Sequence, residues 1–218
     1  FGYKKELVSK VFSSDYPLLV SDSMYLHRSF RDSVLQQIAG VPLKDRRYRY
    51  SDLNFILLRE IVENITKIPM NIFLQKEFYK PMKMEHTLFL PLRRFAKDEI
   101  VPTVKADYLR KGGMLQGYVH AGLFSTAGDV AKVYQMLIDG GVYEGVRYLS
   151  KETCDLFLTH TSKISRRGLG FDKPDKKNEA KSPCAAEAPA EVVGHTGFTG
   201  TCAWADPKNK LVFVFLSN

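Results

Sequence analysis

The chain has 218 residues, of which 44% are apolar and 26% are charged, which is the composition of an ordinary globular domain. No uninterrupted apolar run approaches the roughly 18 residues that cross a membrane, so the sequence argues against a transmembrane helix. The net charge of +8 is spread over scattered clusters without interleaved aromatic residues, and we interpret it as a solvated surface rather than a nucleic-acid site.

Two helices are predicted in the first part of the chain. The second half of residues 23–38 has the apolar spacing of a short amphipathic helix, which ends near Gly40. Residues 51–66 form the strongest predicted helix, with Ser51 as its N-cap and a break at Pro69. Because apolar residues surround nearly its whole circumference, we expect this helix to be buried.

The middle of the chain alternates between irregular and helical patterns. A helix is predicted over residues 69–79, and residues 86–120 indicate loop and short strands. Residues 126–139 predict a further helix, whose start from Thr126 to Asp129 fits an acidic form of the capping box.

Helix and loop signals continue towards the end of the chain. Ser150 is the expected N-cap of a helix that runs to about His160. Residues 172–190 are rich in Lys, Asp, Pro, Ala and Glu, a composition that predicts a mobile surface loop.

The chain ends in a predicted β-hairpin. Residues 200–205 and 210–216 have strand patterns, and the turn Asp206-Pro207-Lys208-Asn209 separates them. Residues 211–216 are apolar on both faces, so we expect this strand to be covered on both sides. Helices in the middle and antiparallel strands at the end predict a domain in which helices pack on a sheet.

The three cysteines, Cys154, Cys184 and Cys202, do not have the spacing of a zinc site. The sequence therefore predicts no metal and no cofactor, and it leaves open one disulfide with one free thiol. No apolar segment follows the first residues, so no signal peptide is expected within this sequence.

Tyr50 precedes the strongest predicted helix. The N-terminus of a helix favours negative charge, so a tyrosine there could act as a general base if cations lowered its pKa further. A tyrosine that packs at the helix entrance and donates one hydrogen bond is the simpler alternative, and the local sequence leaves both open.

The segment Gly194–Thr201 is rich in glycine and threonine. Glycines weaken a strand unless another backbone or a ligand approaches closely. A strand edge with small residues and hydroxyls suits a substrate that lies alongside it, where His195 could donate to an anion. A bulged strand with a structural histidine is the alternative.

Taken together, these segments resemble the motifs of one known family. Tyr50-Ser51-Asp52 resembles the Tyr-x-Asn motif of the serine β-lactamase and penicillin-binding-protein family, and His195-Thr196-Gly197 resembles its Lys-Thr-Gly or His-x-Gly motif. The helix start around Ala121-Gly122-Leu123-Phe124-Ser125-Thr126 lies between them in the same order. The resemblance covers roughly residues 45–218 and points to the branch of class C β-lactamases, DD-peptidases and esterases.

The resemblance implies a fold and a mechanism. The fold is α/β (α+β), a β-lactamase/transpeptidase-like antiparallel sheet flanked by helices, in one domain over residues 1–218. A serine of a Ser-x-x-Lys motif attacks a carbonyl and forms an acyl-enzyme, with the lysine and Tyr50 moving the proton. The expected catalytic residues here are Tyr50 and Asp52. The expected substrate-binding residues are His195, Thr196, Gly197, Phe198 and Thr199, with Phe198 or Thr199 donating a backbone N–H to the oxyanion.

The sequence departs from the family pattern in four respects. It contains neither Ser-x-x-Lys nor Thr-x-x-Lys, so we expect the nucleophile to lie upstream and these 218 residues alone to be inactive. Asp52 stands for the usual asparagine and His195 for the usual lysine, which favours an esterase or peptidase over a β-lactamase. At residues 118–122, two segments that resemble the family follow each other directly, and we hypothesise that a loop between them is omitted.

Two function hypotheses follow from the resemblance. The first is a serine acyl hydrolase that acts on a small ester, an amide or a cell-wall peptide, and is located in the periplasm or elsewhere outside the cytoplasm. The second is a noncatalytic accessory domain that binds cell-wall fragments, as in relatives fused to a β-N-acetylglucosaminidase. The sequence does not fix the oligomeric state, and nucleic acid is not an expected partner.

Overall fold

The computed structural model describes residues 5–21, 24–42, 47–102 and 122–217. The omitted loop that the sequence suggested near residues 118–122 falls almost wholly outside the described residues, as does Ala121 of the predicted helix start at residues 121–126. The hypothesis of an omitted loop therefore stays a prediction.

The chain divides into two units, which we call unit 1 and unit 2. Unit 1 consists of residues 1–75 and 88–124, and unit 2 consists of residues 76–87 and 125–218. Each unit combines helices with antiparallel strands, so the predicted mixture of helices and antiparallel sheet is confirmed. The assignment of the chain to one domain stays a prediction.

The described residues of unit 1 form a small antiparallel sheet, three α-helices and the 3-10 helices Lys5–Leu7, Pro91–Arg93 and Lys97–Glu99. Strand β3 lies between β1 and β2 in this sheet. The elements are β1 (Val8–Ser9), β2 (Leu18–Ser21), β3 (Met24–Leu26), α1 (Phe30–Ala39), α2 (Leu53–Thr66) and α3 (Met70–Leu74). Helix α1 confirms the helix predicted in the second half of residues 23–38, and Gly40 is its C-cap, also as predicted.

The core of unit 1 is small. Helix α1 contributes Phe30 and Val34, which lie one turn apart and therefore share a face. They pack with Leu7, Leu26 and Ile56. This cluster joins the sheet to the first halves of both long helices.

The predicted burial of the whole circumference of α2 is wrong. Only Ile56 and Glu60 of this helix are buried. Leu58 and Ile65 are 52% and 76% exposed, and Phe55, Leu57 and Ile61 are exposed as well. The physical reason is that the core cluster of unit 1 reaches only the side of α2 that carries Ile56. The helix also begins later than predicted, at Leu53, with Asp52 rather than Ser51 in the N-cap position.

An ion pair joins the two long helices of unit 1. Arg31 of α1 donates from Nε to both carboxylate oxygens of Glu60, at 3.1 and 2.9 Å, and Nη2 pairs with the same group. One turn further along α2, Glu63 accepts from Arg59 and from the backbone N–H of Met70, at the start of α3. These carboxylates therefore fix α1, α2 and α3 to one another.

In its described residues, unit 2 contains two α-helices, a short hairpin and a three-stranded antiparallel sheet in the order β6-β7-β8. A π-helix over Gln75–Tyr79 follows α3 and completes the helical segment predicted for residues 69–79. The elements of unit 2 are α4 (Ala127–Ile138), β4 (Val142–Tyr143), β5 (Val146–Arg147), α5 (Lys151–Thr159), β6 (Val193–Thr196), β7 (Cys202–Asp206) and β8 (Leu211–Phe215).

Both α-helices of unit 2 begin at the N-cap residues that the sequence predicts. The Thr126 hydroxyl accepts from the backbone N–H of Asp129 at 3.3 Å at the start of α4, and the Ser150 hydroxyl accepts from Thr153 N–H at 3.1 Å at the start of α5. Such caps satisfy N–H groups that have no partner within the helix. Gly141 then turns the chain after α4 with a φ of +87°, where an added Cβ would lie 2.1 Å from the Leu149 carbonyl oxygen.

The terminal hairpin is confirmed, but the predicted burial of both faces of its last strand is wrong. Asp206 accepts from the backbone N–H groups of Lys208 and Asn209 and so closes the turn between β7 and β8. In β8, Leu211, Phe213 and Phe215 are exposed, whereas Val212 and Val214 are half-buried. The reason is that α4 packs against one face of this sheet.

The first residues of the segment 172–190 are buried, and none of its described residues form a strand. Asp172 and Lys173 are both buried, and Lys173 Nζ donates to the Leu158 carbonyl oxygen at 2.9 Å, near the end of α5. Burial lowers the pKa of the Lys173 ammonium group. A single 3-10 turn, Glu179–Lys181, follows. The predicted mobility of this loop stays a prediction.

Candidate active site

Tyr50 lies in unit 1, three residues before the first residue of α2, and is 58% exposed. Asp52 starts the helix, and its carbonyl oxygen accepts from the backbone N–H groups of Phe55 and Ile56 at 3.1 and 3.3 Å. The Ser51 hydroxyl accepts from Leu53 N–H at 3.3 Å. An accessible tyrosine therefore stands at a helix N-terminus, where the dipole favours an anion.

The glycine and threonine segment lies in unit 2 and forms the end of β6 and the turn into β7. Gly194 pairs with Trp204 across the two strands, and an added Cβ at Gly194 would lie 2.1 Å from the Ala203 carbonyl oxygen. Only glycine allows the two strands to approach this closely. The register then places His195 opposite Ala203.

The turn after β6 is partly exposed to solvent. Its internal hydrogen bonds run from Gly197 N–H to the Thr201 carbonyl oxygen and from Gly200 N–H to the Gly197 carbonyl oxygen, at 2.6 and 3.2 Å. Phe198 is 86% exposed, and Thr196 is exposed as well. The outer edge of the segment is therefore accessible to a ligand.

The His195 ring is held by two contacts. Its Nδ1 lies 2.6 Å from the Thr196 carbonyl oxygen, and its Nε2 lies 2.6 Å from Nη1 of Arg167. Arg167 in turn pairs with Asp172 through Nη2 at 3.0 Å. His195 is therefore part of a polar cluster rather than a lone surface histidine.

Arg166, Arg167 and Asp172 form a cluster that the sequence reasoning missed. Arg166 binds both carboxylate oxygens of Asp172, from Nε at 2.7 Å and from Nη2 at 2.9 Å. The signal in the sequence was the pair of arginines before a Gly-x-Gly segment. The contact with His195, 28 residues later, depends on the tertiary fold and could not be read from that signal.

The end of the predicted helix start at residues 121–126 serves the fold of unit 2. The hydroxyls of Ser125 and Thr87 lie 2.7 Å apart, and Thr87 donates to Asp129 at 3.0 Å. Asp129 also accepts from the backbone N–H of His86 and pairs with Lys132. This buried carboxylate fixes the start of α4 to the segment before residue 88.

The structure distributes the predicted site residues between the two units. Tyr50 and Asp52 lie in unit 1, whereas the segment from His195 to Thr199 lies in unit 2. That these two groups line one site stays a prediction.

The described residues carry no cluster of three or more His, Cys, Asp or Glu side chains that could bind a metal ion. Cys154, Cys184 and Cys202 are free thiols, and burial raises the pKa of Cys184 to about 11. Within the same described residues, no helix is long and apolar enough to cross a membrane.

A family model described as Beta-lactamase matches residues 12–218. An N-acetylmuramyl-L-alanine amidase of Bacillus subtilis is 30% identical over 221 residues, which are 86% of this chain and 48% of the amidase. A protein of Escherichia coli, provisionally named a D-alanyl-D-alanine carboxypeptidase, is 29% identical over 88% of this chain and 50% of its own length. The chain spans about half the length of these curated relatives.

Solved structures agree with this match at the level of the fold. A penicillin-binding-protein homologue of Caulobacter crescentus aligns with a TM-score of 0.59 and 16% identity, over 86% of this chain and 58% of that one. The hydrolase EstCE1, described as having promiscuous acyltransferase activity, aligns with a TM-score of 0.61 and 17% identity, over 86% of this chain and 56% of that one. The predicted β-lactamase/transpeptidase-like fold class is thereby confirmed.

Proposed function

Because the chain belongs to the Beta-lactamase family, a family of serine hydrolases, we propose that it forms part of a serine acyl hydrolase acting on a cell-wall peptide, an amide or an ester. The names of its relatives support this substrate class, since they include an amidase and a provisional carboxypeptidase. The observation that carries the proposal is the exposed edge from Thr196 to Phe198, at the end of a strand anchored at Gly194.

In this proposal the acyl-enzyme forms on the serine of a Ser-x-x-Lys segment outside these 218 residues. The serine oxygen attacks the carbonyl carbon, its proton passes to a nearby base, and the leaving group takes up a proton as it departs. Tyr50 is the proposed partner in proton transfer, because the start of α2 favours the tyrosinate form. We also propose that Asp52, the N-cap residue of α2, keeps Tyr50 oriented.

The proposed oxyanion donor comes from the turn after β6. Gly197 and Gly200 use their N–H groups inside this turn. Among the described residues of the turn, the N–H groups of Phe198 and Thr199 are therefore the candidates for the developing negative charge. A substrate that lies along β6 would reach the Thr196 side chain and the Gly197 backbone at the same edge.

The test is acylation of the intact protein by a fluorophosphonate or a penicillin, followed by mass spectrometry. We expect one adduct, on the serine of Ser-x-x-Lys, and none on the 218-residue chain alone. Tyr50→Phe should slow acylation by about 10²–10⁴-fold, the usual contribution of an acid–base residue. Tyr48→Phe, a neighbouring exposed tyrosine, is the matched control and should leave the rate unchanged.

Two results would count against this assignment. An adduct on the 218-residue chain by itself would place the nucleophile within it. The lack of any adduct on the intact protein would favour the accessory function, in which the domain binds cell-wall fragments without turning them over.

A further inference from the structure

We infer that Arg167 is a positioning residue that holds the His195 imidazole as its neutral Nδ1–H tautomer beside the proposed site. The relevance of this ring to catalysis rests on the proposed function. The inference about the ring itself rests on four side chains of unit 2 and on the polarity of their hydrogen bonds.

The contact with Arg167 fixes the role of one ring nitrogen. A guanidinium group has five N–H donors and no acceptor. Because Arg167 Nη1 lies 2.6 Å from His195 Nε2, the imidazole nitrogen must accept. Nε2 therefore presents a lone pair to Arg167, and the ring proton cannot be on that atom.

The contact with the backbone agrees with this tautomer for the ring orientation that Arg167 holds. A carbonyl oxygen only accepts, and the Thr196 carbonyl oxygen lies 2.6 Å from His195 Nδ1. Nδ1 must therefore carry the proton and donate it. A doubly protonated ring would place an N–H against an arginine N–H, and the opposite tautomer would set two lone pairs against each other at Nδ1.

Asp172 keeps Arg167 in this position. Its carboxylate is almost fully buried, with 1% of the residue exposed, and it pairs with Arg167 at 3.0 Å. Its backbone exchanges hydrogen bonds of 2.7 and 3.1 Å with Gly194, the residue before His195. The anion that orients Arg167 is therefore fixed to the same strand as the imidazole.

This arrangement changes the role of His195 in the proposed site. Both ring nitrogens already have protein partners, so His195 acts by restraining the Thr196 carbonyl group rather than by binding the substrate carboxylate.

The experiment observes the ring directly. Long-range 1H–15N correlation spectra of the intact, 15N-labelled protein distinguish which imidazole nitrogen carries the proton, and His195→Gln assigns the signal among the five histidines. At a pH where the ring is neutral, we expect His195 to be a single Nδ1–H tautomer. Arg167→Met removes the contact that holds the ring in this orientation, so the ring should turn away from the Thr196 carbonyl oxygen and populate Nε2–H, alone or in a mixture.

Two further variants keep the test decisive. Arg167→Lys retains a donor for Nε2 and should restore the Nδ1–H signal. Arg166→Met removes an equal charge from Asp172 but leaves Arg167 as the donor on His195, so the tautomer should not change.

The inference is overturned if the wild-type ring is Nε2–H, or if Arg167→Met leaves the Nδ1–H signal intact. The spectra need no turnover, so they succeed or fail independently of the acylation experiment that tests the proposed function.

Discussion

The Glu60 carboxylate is one of the few charged groups that the described residues bury. It lies on α2 and meets the Arg31 guanidinium of α1 through Nε and Nη2. The hydrogen bond with Glu60 raises the pKa of Arg31 above its ordinary value, and the charges of Glu60 and Glu63 act in the same direction. This ion pair thus adds a charged contact to the apolar cluster that joins the two long helices of unit 1.

We expect Glu60→Gln to destabilise the protein by about 1–3 kcal/mol, because it removes the buried anion of a charge-assisted pair. Denaturant unfolding followed by circular dichroism measures the difference. Glu77→Gln is the control, since Glu77 forms an exposed pair with Lys76 and should cost less than about 0.5 kcal/mol. Equal losses in the two variants would show that burial of Glu60 does not matter.

Helix ends and turns are elements whose formation depends on neighbouring residues. The caps at Thr126 and Ser150 and the Asp206 turn were predictable because each oxygen bonds N–H groups two or three residues away. The face on which α2 or β8 is buried was not predictable in this way. Burial depends on which elements pack against a helix or a strand, and apolar composition alone does not specify them.

Ser150→Ala should destabilise the protein by about 0.5–2 kcal/mol through loss of the cap on α5. Ser150→Asp keeps an oxygen that can accept from Thr153 N–H and should remain close to the wild type. Thermal unfolding of the three proteins in parallel measures the effect. A comparable loss in the aspartate variant would mean that the hydroxyl group acts through something other than capping.

The Asp206 turn should depend on pH. Burial raises the pKa of the Asp206 carboxyl group, but the hydrogen bonds from Asn209 and Lys208 together lower it below its ordinary value of 3.8. A carboxyl group whose pKa is lower in the folded state stabilises the protein at pH values above 3.8 and loses this contribution as the pH falls through its folded pKa.

Asp206→Asn should therefore lower stability at pH 6, and the difference from the wild type should shrink at pH values below 3.8. Unfolding of both proteins by urea at several pH values measures this trend. Asp155→Asn, which removes an exposed carboxylate paired with Lys151, is the control. A difference at Asp206 that does not change with pH would contradict the assignment of the effect to its charge.

At the scale of the whole chain, each unit exposes an apolar surface. In unit 1 it is formed by Leu57, Leu58, Ile61 and Ile65 of α2, and in unit 2 by Leu211, Phe213 and Phe215 of β8. Contiguous apolar surfaces promote association between molecules, and an open strand edge adds backbone pairing.

The family and the mixed fold were predictable from three short motifs in order. The exposed surfaces and the Arg167–His195 contact were not, because both depend on residues far apart in the chain.

We therefore expect the isolated 218-residue chain to self-associate, and more so at high salt, because salt screens the repulsion of its +8 charge. The double variant Phe213→Thr with Phe215→Thr keeps β-forming residues while removing aromatic surface, and it should raise the association concentration severalfold. Light scattering coupled to size-exclusion chromatography measures this concentration. Ile164→Thr, at an exposed position outside both surfaces, should have no effect.

The carboxylate of Asp172, which binds two arginines and borders the strand of His195, constrains how this sequence can evolve. A lysine at position 195 has donors but no acceptor, so it would repel Arg167 instead of accepting its hydrogen bond. Loss of Asp172 would remove the anion that both guanidinium groups bind. We therefore expect positions 167, 172 and 195 to be inherited as a set, so that an alignment of relatives shows lysine at 195 and arginine at 167 as mutually exclusive.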